Sequence, residues 1–452
     1  MNGRPSYETL PQGLFSSVPT IRDSLRVDSM PVEGRTAKGA VSANSLEEMA
    51  ELLRAASKEK IAIIPRGSGT MMGLGNPPRE VDLVLDLRRL SRVLEYNPEN
   101  LTVTAECGLP LAGLQEILGR KGQFLPLDPP YFLSASLGGI VAANASGPKR
   151  LHFGTVRDMI LGMRVALADG SVVSFGGRCV KNVSGLDMCK LFAGSLGTLG
   201  IIGELTFKVH PLPEQEVIQV GFSSDPANLL RACHSLVHSV LFPAALEILH
   251  PHLARIWCRQ MGLSYPQQDW LILIGWVGFA EDMSRLAQEG QEVFSNHGVM
   301  GGEICPSDRA RSGWEVFGQL PRHLEVPPED LILCRMCLPL SALEEAIVGW
   351  QKEAKAMGCS SAQSIRAGSG ILCGYLFGTQ RNEERTVEAL ERLRGWAFGL
   401  GGSRVVESAP LWLKKRLDVW GPVGKQLILM RRLKGHFDPM GVLNPGRYLG
   451  GI

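Results

Sequence analysis

The stretch PRGSGTMMGLGNPP, residues 65–78, comes directly after the apolar run IAIIP. It sets Gly67, Gly69, Gly73 and Gly75 in one loop with Ser68 and Thr70. Bare backbone just beyond a strand suits a phosphate, because successive exposed N–H groups form an anion-binding nest and no Cβ blocks the approach. A dinucleotide fold of Rossmann type requires G-x-G-x-x-G running into a helix. Gly67 and Gly69 fit that pattern, but Met72 takes the third glycine position, and Pro77 and Pro78 oppose a helix. A P-loop is excluded, since no G-K-[ST] follows. On the loop alone, a plain glycine-rich turn between strands stays open.

A second stretch strengthens the phosphate reading. SASLGGIVAANASG, residues 134–147, offers serines, a glycine pair and an asparagine with little bulk. Two strand-adjacent loops of this kind can clamp a long, flat, anionic cofactor, with a ring system lying against the backbone.

The rest of the chain frames these loops. Its 452 residues suggest two or three domains. Lys and Arg number 47 against 45 acidic residues, a net charge of +2, so no field points to nucleic acid. The longest apolar stretch, WLILIGWVGFA at 270–280, falls short of the ~18 residues of a membrane span and reads as a buried strand. MNGRPSYETLPQG at the start lacks a signal pattern, so a cytoplasmic location is expected, with membrane association through a partner left open. The ten cysteines have no framework spacing and read as free thiols. Cys334 and Cys337 form one C-x-x-C inside LILCRMCLPL, where residues three apart on a strand face opposite sides; buried core cysteines are expected rather than a metal.

Along the chain, residues 1–32 read as an irregular leader rich in Pro and Ser. SLEEMAELLRAASKEK (45–60) is a helix with Ser45 as N-cap and Glu48 at N3. The period-two run LTVTAECG is a strand. PLAGLQEILGRKG is a helix, and VRDMILGMRVALADGSVVSFGG two strands around an Asp-Gly turn. A Pro-rich boundary falls near residues 211–214, and beyond it helices alternate with apolar strands in a second α+β unit. A basic helix and FDPMGVLNPGRYLGG form the tail from about Val423.

The sequence resembles the FAD-binding family of vanillyl-alcohol-oxidase or p-cresol-methylhydroxylase (PCMH) type. PRGSGT (65–70), LDPP (127–130), SLGGIVAANASGP (136–148), FGTVRDMILGMRV (153–165), KNVSGLDMCKLFAGSLGTLGII (181–202) and FDPMGVLNPGR (437–447) carry the resemblance. It is close over about 33–213 and loose beyond, and within the family it is most similar to E-type subunits of bacterial glycolate oxidases and related 2-hydroxyacid dehydrogenases. The resemblance implies an α+β architecture: a PCMH-type two-subdomain FAD-binding domain at 33–213, an α+β cap at 214–422, and a segment at 423–452 returning to the flavin. It implies that Arg66, Gly67, Ser68, Gly69 and Thr70 wrap the FAD pyrophosphate. Pro129 lies in the matching LDPP; Ser136, Gly138 and Gly139 would line the flavin side, Asn144, Ser146 and Gly147 the ribityl chain or flavin, and Ile201 or Ile202 the adenine. Asn444 would fold back to the flavin edge. Some relatives carry a flavin-linking His where this chain has Thr70, so non-covalent FAD is expected.

Three departures bear on chemistry. Relatives that oxidise 2-hydroxy acids often carry H-x-G-D-G-N-x-H, whose histidines bind a divalent metal. RAGSGILC (366–373) stands here instead, with Arg366 and Cys373 at the histidine positions and Ser369 and Ile371 replacing the polar pair. A guanidinium has no lone pair to donate, so no metal is expected; Arg366 would meet a carboxylate directly, or the segment serves packing alone. Leu196 stands where many relatives have Glu, and Leu186 where they often have Tyr. His436 is a candidate base near the flavin-side tail, or a surface residue on the basic helix RRLKGH. His250 and His252 read as a solvated pair, and the basic runs LKKR and MRRLKG as solvated faces or docking surfaces.

The leading reading is an FAD-dependent subunit that oxidises a 2-hydroxy acid of glycolate or lactate type. Without a cysteine cluster of its own, it would pass electrons to a separate iron–sulfur subunit. The alternative is a non-catalytic FAD-binding partner beside a second flavoprotein subunit. A stand-alone oxidase or reductase with another substrate also stays open.

Overall fold

Ile63–Arg66 and Gly39–Ser42 flank Leu83–Asp86 in a three-stranded parallel sheet. The computed structural model in which these strands are seen describes residues 30–177, 186–266, 268–378 and 383–452. Parallel strands are covered on both faces, and every residue of Gly39–Ser42 and Leu83–Asp86 is buried. Helix Leu46–Glu59 makes the crossover; Ser45 Oγ accepts the Glu48 N–H at 3.0 Å, and Met49, Leu52, Leu53 and Ala56 are buried.

The second sheet is antiparallel, in the order Val172–Gly176, Ile160–Ala166, Ile201–Lys208, Thr102–Glu106, Val93–Asn97. One core joins both sheets, running from Leu53, Ile63 and Leu83 to Val103, Leu205 and Phe207. The tail enters this core with Val442 and Leu443. It pairs with the free edge of the parallel sheet: the Ile63 N–H donates to the Val442 carbonyl at 2.8 Å, and the Asn444 N–H to the Ile63 carbonyl at 2.9 Å.

From Gln215 onward, the long strands belong to an eight-stranded sheet whose neighbours all run antiparallel. Its order is Met300–Cys305, Gln215–Ser223, Trp270–Gly278, Ala245–Leu249, Ser360–Arg366, Ile371–Phe377, Leu331–Cys337, Ser403–Ser408. One face packs on helices Pro226–Val237, Ala280–Asn296, Leu343–Met357 and Glu383–Gly399. The other packs on Pro251–Met261 and Ser307–Gly318, around Trp257 and Trp314. These two helices leave Ser364, Arg366, Cys373 and Tyr375 facing a cavity, which the segments around Asp128–Tyr131 and Thr70–Leu74 close.

Several local expectations fail for identifiable reasons. Leu137–Ala143 is a short helix rather than a loop; Leu137, Ile140 and Val141 are buried on one side of it. Val156–Met159 is a helical turn rather than part of a strand, closed by a capping box between Thr155 and Asp158. Met30–Val32, expected in an irregular leader, pairs with Arg35–Ala37 across Glu33 and Gly34, both at positive φ; residues 1–29 lie outside the described part. His250 and His252 are not a solvated pair: His250 is the half-buried N-cap of Pro251–Met261, and its Nδ1 accepts the His252 N–H. Each basic run hides one buried lysine. Lys414 pairs with Glu33 at 2.5 Å, and Lys434 donates to the Thr198 and Leu443 carbonyls and to Asp438. Of the C-x-x-C pair expected to be buried core cysteines, only Cys334 is; Cys337 is exposed, because residues three apart on a strand face opposite sides.

Candidate functional site

After Ile63–Arg66 the chain breaks into the glycine loop. Gly69 sits at φ +77°, a conformation that L side chains rarely adopt. A Cβ on Gly67 would collide with Ser136 Oγ, and one on Gly138 would come 2.7 Å from the Cys107 Cβ. Bare backbone from the loop and from Leu137–Ala143 thus meets across a cavity. Gly67, Ser68, Gly69, Thr70, Ser136, Gly138, Gly139, Ile201, Ile202 and Asn444 all line it, so ten residues singled out from the sequence come together. Asn444 stands at φ 45°, anchored through Nδ2 to the Leu196 carbonyl at 2.6 Å, while its Oδ1 is buried without a partner among the described residues.

The other seven candidates lie outside it, with Arg366 among the lining of the cavity beside it. Arg66 does not line the cavity; its Nη1 is 3.6 Å from the Met30 sulfur. Pro129 lines neither this cavity nor the one beside it, although Pro130 does line the latter. Asn144 closes the short helix in the left-handed region, turning the chain so that Ser146 and Gly147 run past the second cavity. There the Ser146 carbonyl accepts from Arg366, and Gly147 packs so closely on Asp128 that a Cβ would overlap it. His436 is exposed on the tail helix, edge-on to Phe437 at 5.2 Å, and lines neither cavity. The sequence reading missed Arg447, which lines the first cavity; it stands three residues after Asn444 in the same NPGR turn.

The second cavity shares Thr70, Met71 and Leu74 with the first, so one loop is the wall between them. It is lined by Asp128, Tyr131, Ser364, Arg366, Cys373, Tyr375 and Glu407 among others, and by no histidine. Arg366 donates from Nη1 to the Ser146 carbonyl at 2.7 Å. Burial works against its charge, yet Cys373, Glu247 and Asp128 together hold its pKa above the ordinary value. Burial raises the Asp128 carboxyl, and pushes Glu247, paired with Arg366 across neighbouring strands, well above the usual carboxylate range. Burial also pushes the Cys373 thiol up to about 12, so that it stays protonated. Arg335 Nε holds Glu407 at 3.0 Å. Tyr131 has φ 60°, unusual for a bulky side chain, and the Arg322 guanidinium lies 4.3 Å from its ring centre. Among the described residues, no group of three or more His, Cys, Asp or Glu side chains is arranged to hold a metal. No helix among them is long and apolar enough to cross a membrane.

Residues 37–176 match the family model for an FAD binding domain, and residues 212–448, more than half of the chain, that for the C-terminal domain of FAD linked oxidases. The glycolate oxidase subunit GlcD of Bacillus subtilis is 28% identical over 440 residues, covering 93% of this chain and 90% of that protein. A D-lactate dehydrogenase of Archaeoglobus fulgidus is 26% identical over 435 residues, covering 94% and 95%. Among solved structures, p-cresol methylhydroxylase with substrate bound superposes with a TM-score of 0.75 at 18% identity, covering 97% of this chain and 98% of that one. The fold is therefore the PCMH-type α+β fold.

Proposed function

We propose that this chain, which belongs to the FAD-linked oxidases and takes FAD as its cofactor, oxidises a small 2-hydroxy acid in the cavity beside that cofactor. The observation that carries the proposal is the shared wall: Thr70, Met71 and Leu74 separate the cofactor cavity from a cavity lined by a half-buried arginine, Arg366. The residues present suit FAD. The Gly67–Thr70 backbone is free of bulk where phosphate must approach, and Asn444 Oδ1 and two Arg447 nitrogens are buried without partners among the described residues. Bound there, FAD supplies a two-electron acceptor for the α-carbon hydride.

Arg366 is the residue suited to the acid's carboxylate. Ser146 fixes one arm of its guanidinium, and a planar fork matches a carboxylate. Two carboxylates line the same cavity, Asp128 and Glu407. Arg335 engages Glu407, so Asp128 is the better acceptor for the substrate's hydroxyl proton. Electrons then leave to a separate iron–sulfur protein, because the described cysteines do not cluster. The relatives named for glycolate and D-lactate support this substrate class.

A second reading, a non-catalytic FAD-binding partner subunit, is favoured by one observation: no histidine lines the second cavity. Anaerobic mixing of the holoprotein with glycolate or D-lactate separates the two. Bleaching of the flavin supports the first; a flavin that only dithionite reduces supports the second.

A further inference from the structure

We propose that Arg447 supplies the positive charge that holds the diphosphate of bound FAD. Among the described residues lining the first cavity, Arg447 alone carries a charged side chain. It is 3% exposed, and its Nε and Nη1 are buried with no partner among the described residues. Its Nη2 is committed to the Met72 carbonyl at 2.6 Å and to the Leu74 carbonyl, which fixes the guanidinium against the segment that continues the glycine loop. The backbone is held as firmly, since the Arg447 carbonyl accepts from Trp420 Nε1 at 2.9 Å and from the Asn76 N–H at 3.0 Å. Glu33, the carboxylate that interacts with it, is already paired with Lys414 at 2.5 Å. An arginine stays charged even when buried, so this cation needs a partner that the described residues do not provide. The oxidised flavin ring is neutral and the diphosphate carries the cofactor's permanent negative charge. Backbone N–H groups of Gly67–Thr70 contribute only partial charges, and Arg447 contributes the formal one.

The inference concerns cofactor binding and does not depend on the substrate. Arg447→Gln removes the charge but keeps an amide able to reach the loop carbonyls; Arg447→Lys keeps the charge. Titration of the apoprotein with FAD, followed by flavin fluorescence, should show Kd raised about tenfold or more in Arg447→Gln and about threefold or less in Arg447→Lys, as expected of a charge-assisted contact. In the Arg447→Lys holoprotein the ³¹P resonances of the diphosphate should move while the visible flavin spectrum does not. A wild-type Kd in Arg447→Gln would overturn the proposal. So would ³¹P resonances in Arg447→Lys that coincide with wild type, including the case in which the reduction potential alone shifts, which would assign Arg447 to the flavin ring. If Arg447→Gln fails to fold, the ³¹P comparison on Arg447→Lys decides.

Discussion

Arg366 Nη1 lies 2.7 Å from the carbonyl oxygen of Ser146, a residue 220 positions earlier in the chain. The contact joins the end of a cap strand to the segment that leaves the short helix over the cofactor cavity, and it aims the guanidinium into the second cavity. Arg366→Lys keeps the charge but loses the fork. Binding of oxalate, a carboxylate analogue that cannot be oxidised, should weaken by about 1–3 kcal/mol, read as a change in Kd from flavin difference spectra. Unchanged oxalate binding would remove Arg366 from the substrate site. EDTA should leave activity untouched; activity that falls on chelation and returns with zinc or manganese would contradict the metal-free reading.

Thr70 lines the cofactor cavity where some relatives carry a flavin-linking histidine. Acid precipitation should therefore leave the yellow colour in the supernatant. Colour retained in the pellet would mean a covalent bond.

Gly69 stands at φ +77°, and a Cβ added there would come 2.9 Å from Nε of the Arg66 guanidinium. Gly69→Val combines left-handed strain of about 1–3 kcal/mol with branched bulk at the loop. Flavin content, read as the ratio of flavin to protein absorbance, should fall sharply while the far-UV spectrum is kept. Full occupancy would show that the loop is only a turn.

His250 is half-buried against the edge of Trp270, with ring centres 5.0 Å apart, and its Nδ1 accepts the His252 N–H. Burial first, and then His252, lower its pKa from 6.5 to about 4. The folded value lies below the unfolded one, so between these pH values the unfolded chain binds the extra proton. The stability contribution is complete above about pH 6.5 and is lost as pH falls through about 4, a change on the order of 3 kcal/mol. Asn is a good N-cap that does not titrate, so His250→Asn should flatten this part of the profile in urea melts at about pH 7.5 and about pH 5. Parallel profiles for the two proteins would place the proton elsewhere.

Much of the cofactor cavity was legible because glycine and small residues leave a local mark. Gly67 and Gly69 reveal backbone that must be approached, whatever the tertiary context. The helix at Leu137–Ala143 was hidden for the same reason: small residues suit a tight loop and a closely packed helix alike, and only the burial of Leu137, Ile140 and Val141 decides. Lys414 and Lys434 looked like solvent-facing charges, because a sequence does not show that Glu33, or the Thr198 carbonyl, waits inside. Arg447 stands in the same turn as Asn444, but the sequence does not show that Met72 and Leu74, hundreds of residues away, receive its guanidinium. The second cavity was the least legible part, since Asp128, Arg366 and Glu407 meet only when the cap sheet closes on the first unit.

The central claim, that a 2-hydroxy acid held by Arg366 is oxidised beside FAD, is tested most directly by anaerobic stopped-flow reduction of the holoprotein, followed in the visible flavin band. The account predicts that glycolate or D-lactate bleaches the flavin with a saturable rate, and that Arg366→Lys needs a higher substrate concentration for the same rate. A flavin that dithionite reduces but that stays oxidised with every 2-hydroxy acid offered would contradict it, and would leave the chain as an FAD-binding partner of another catalytic subunit.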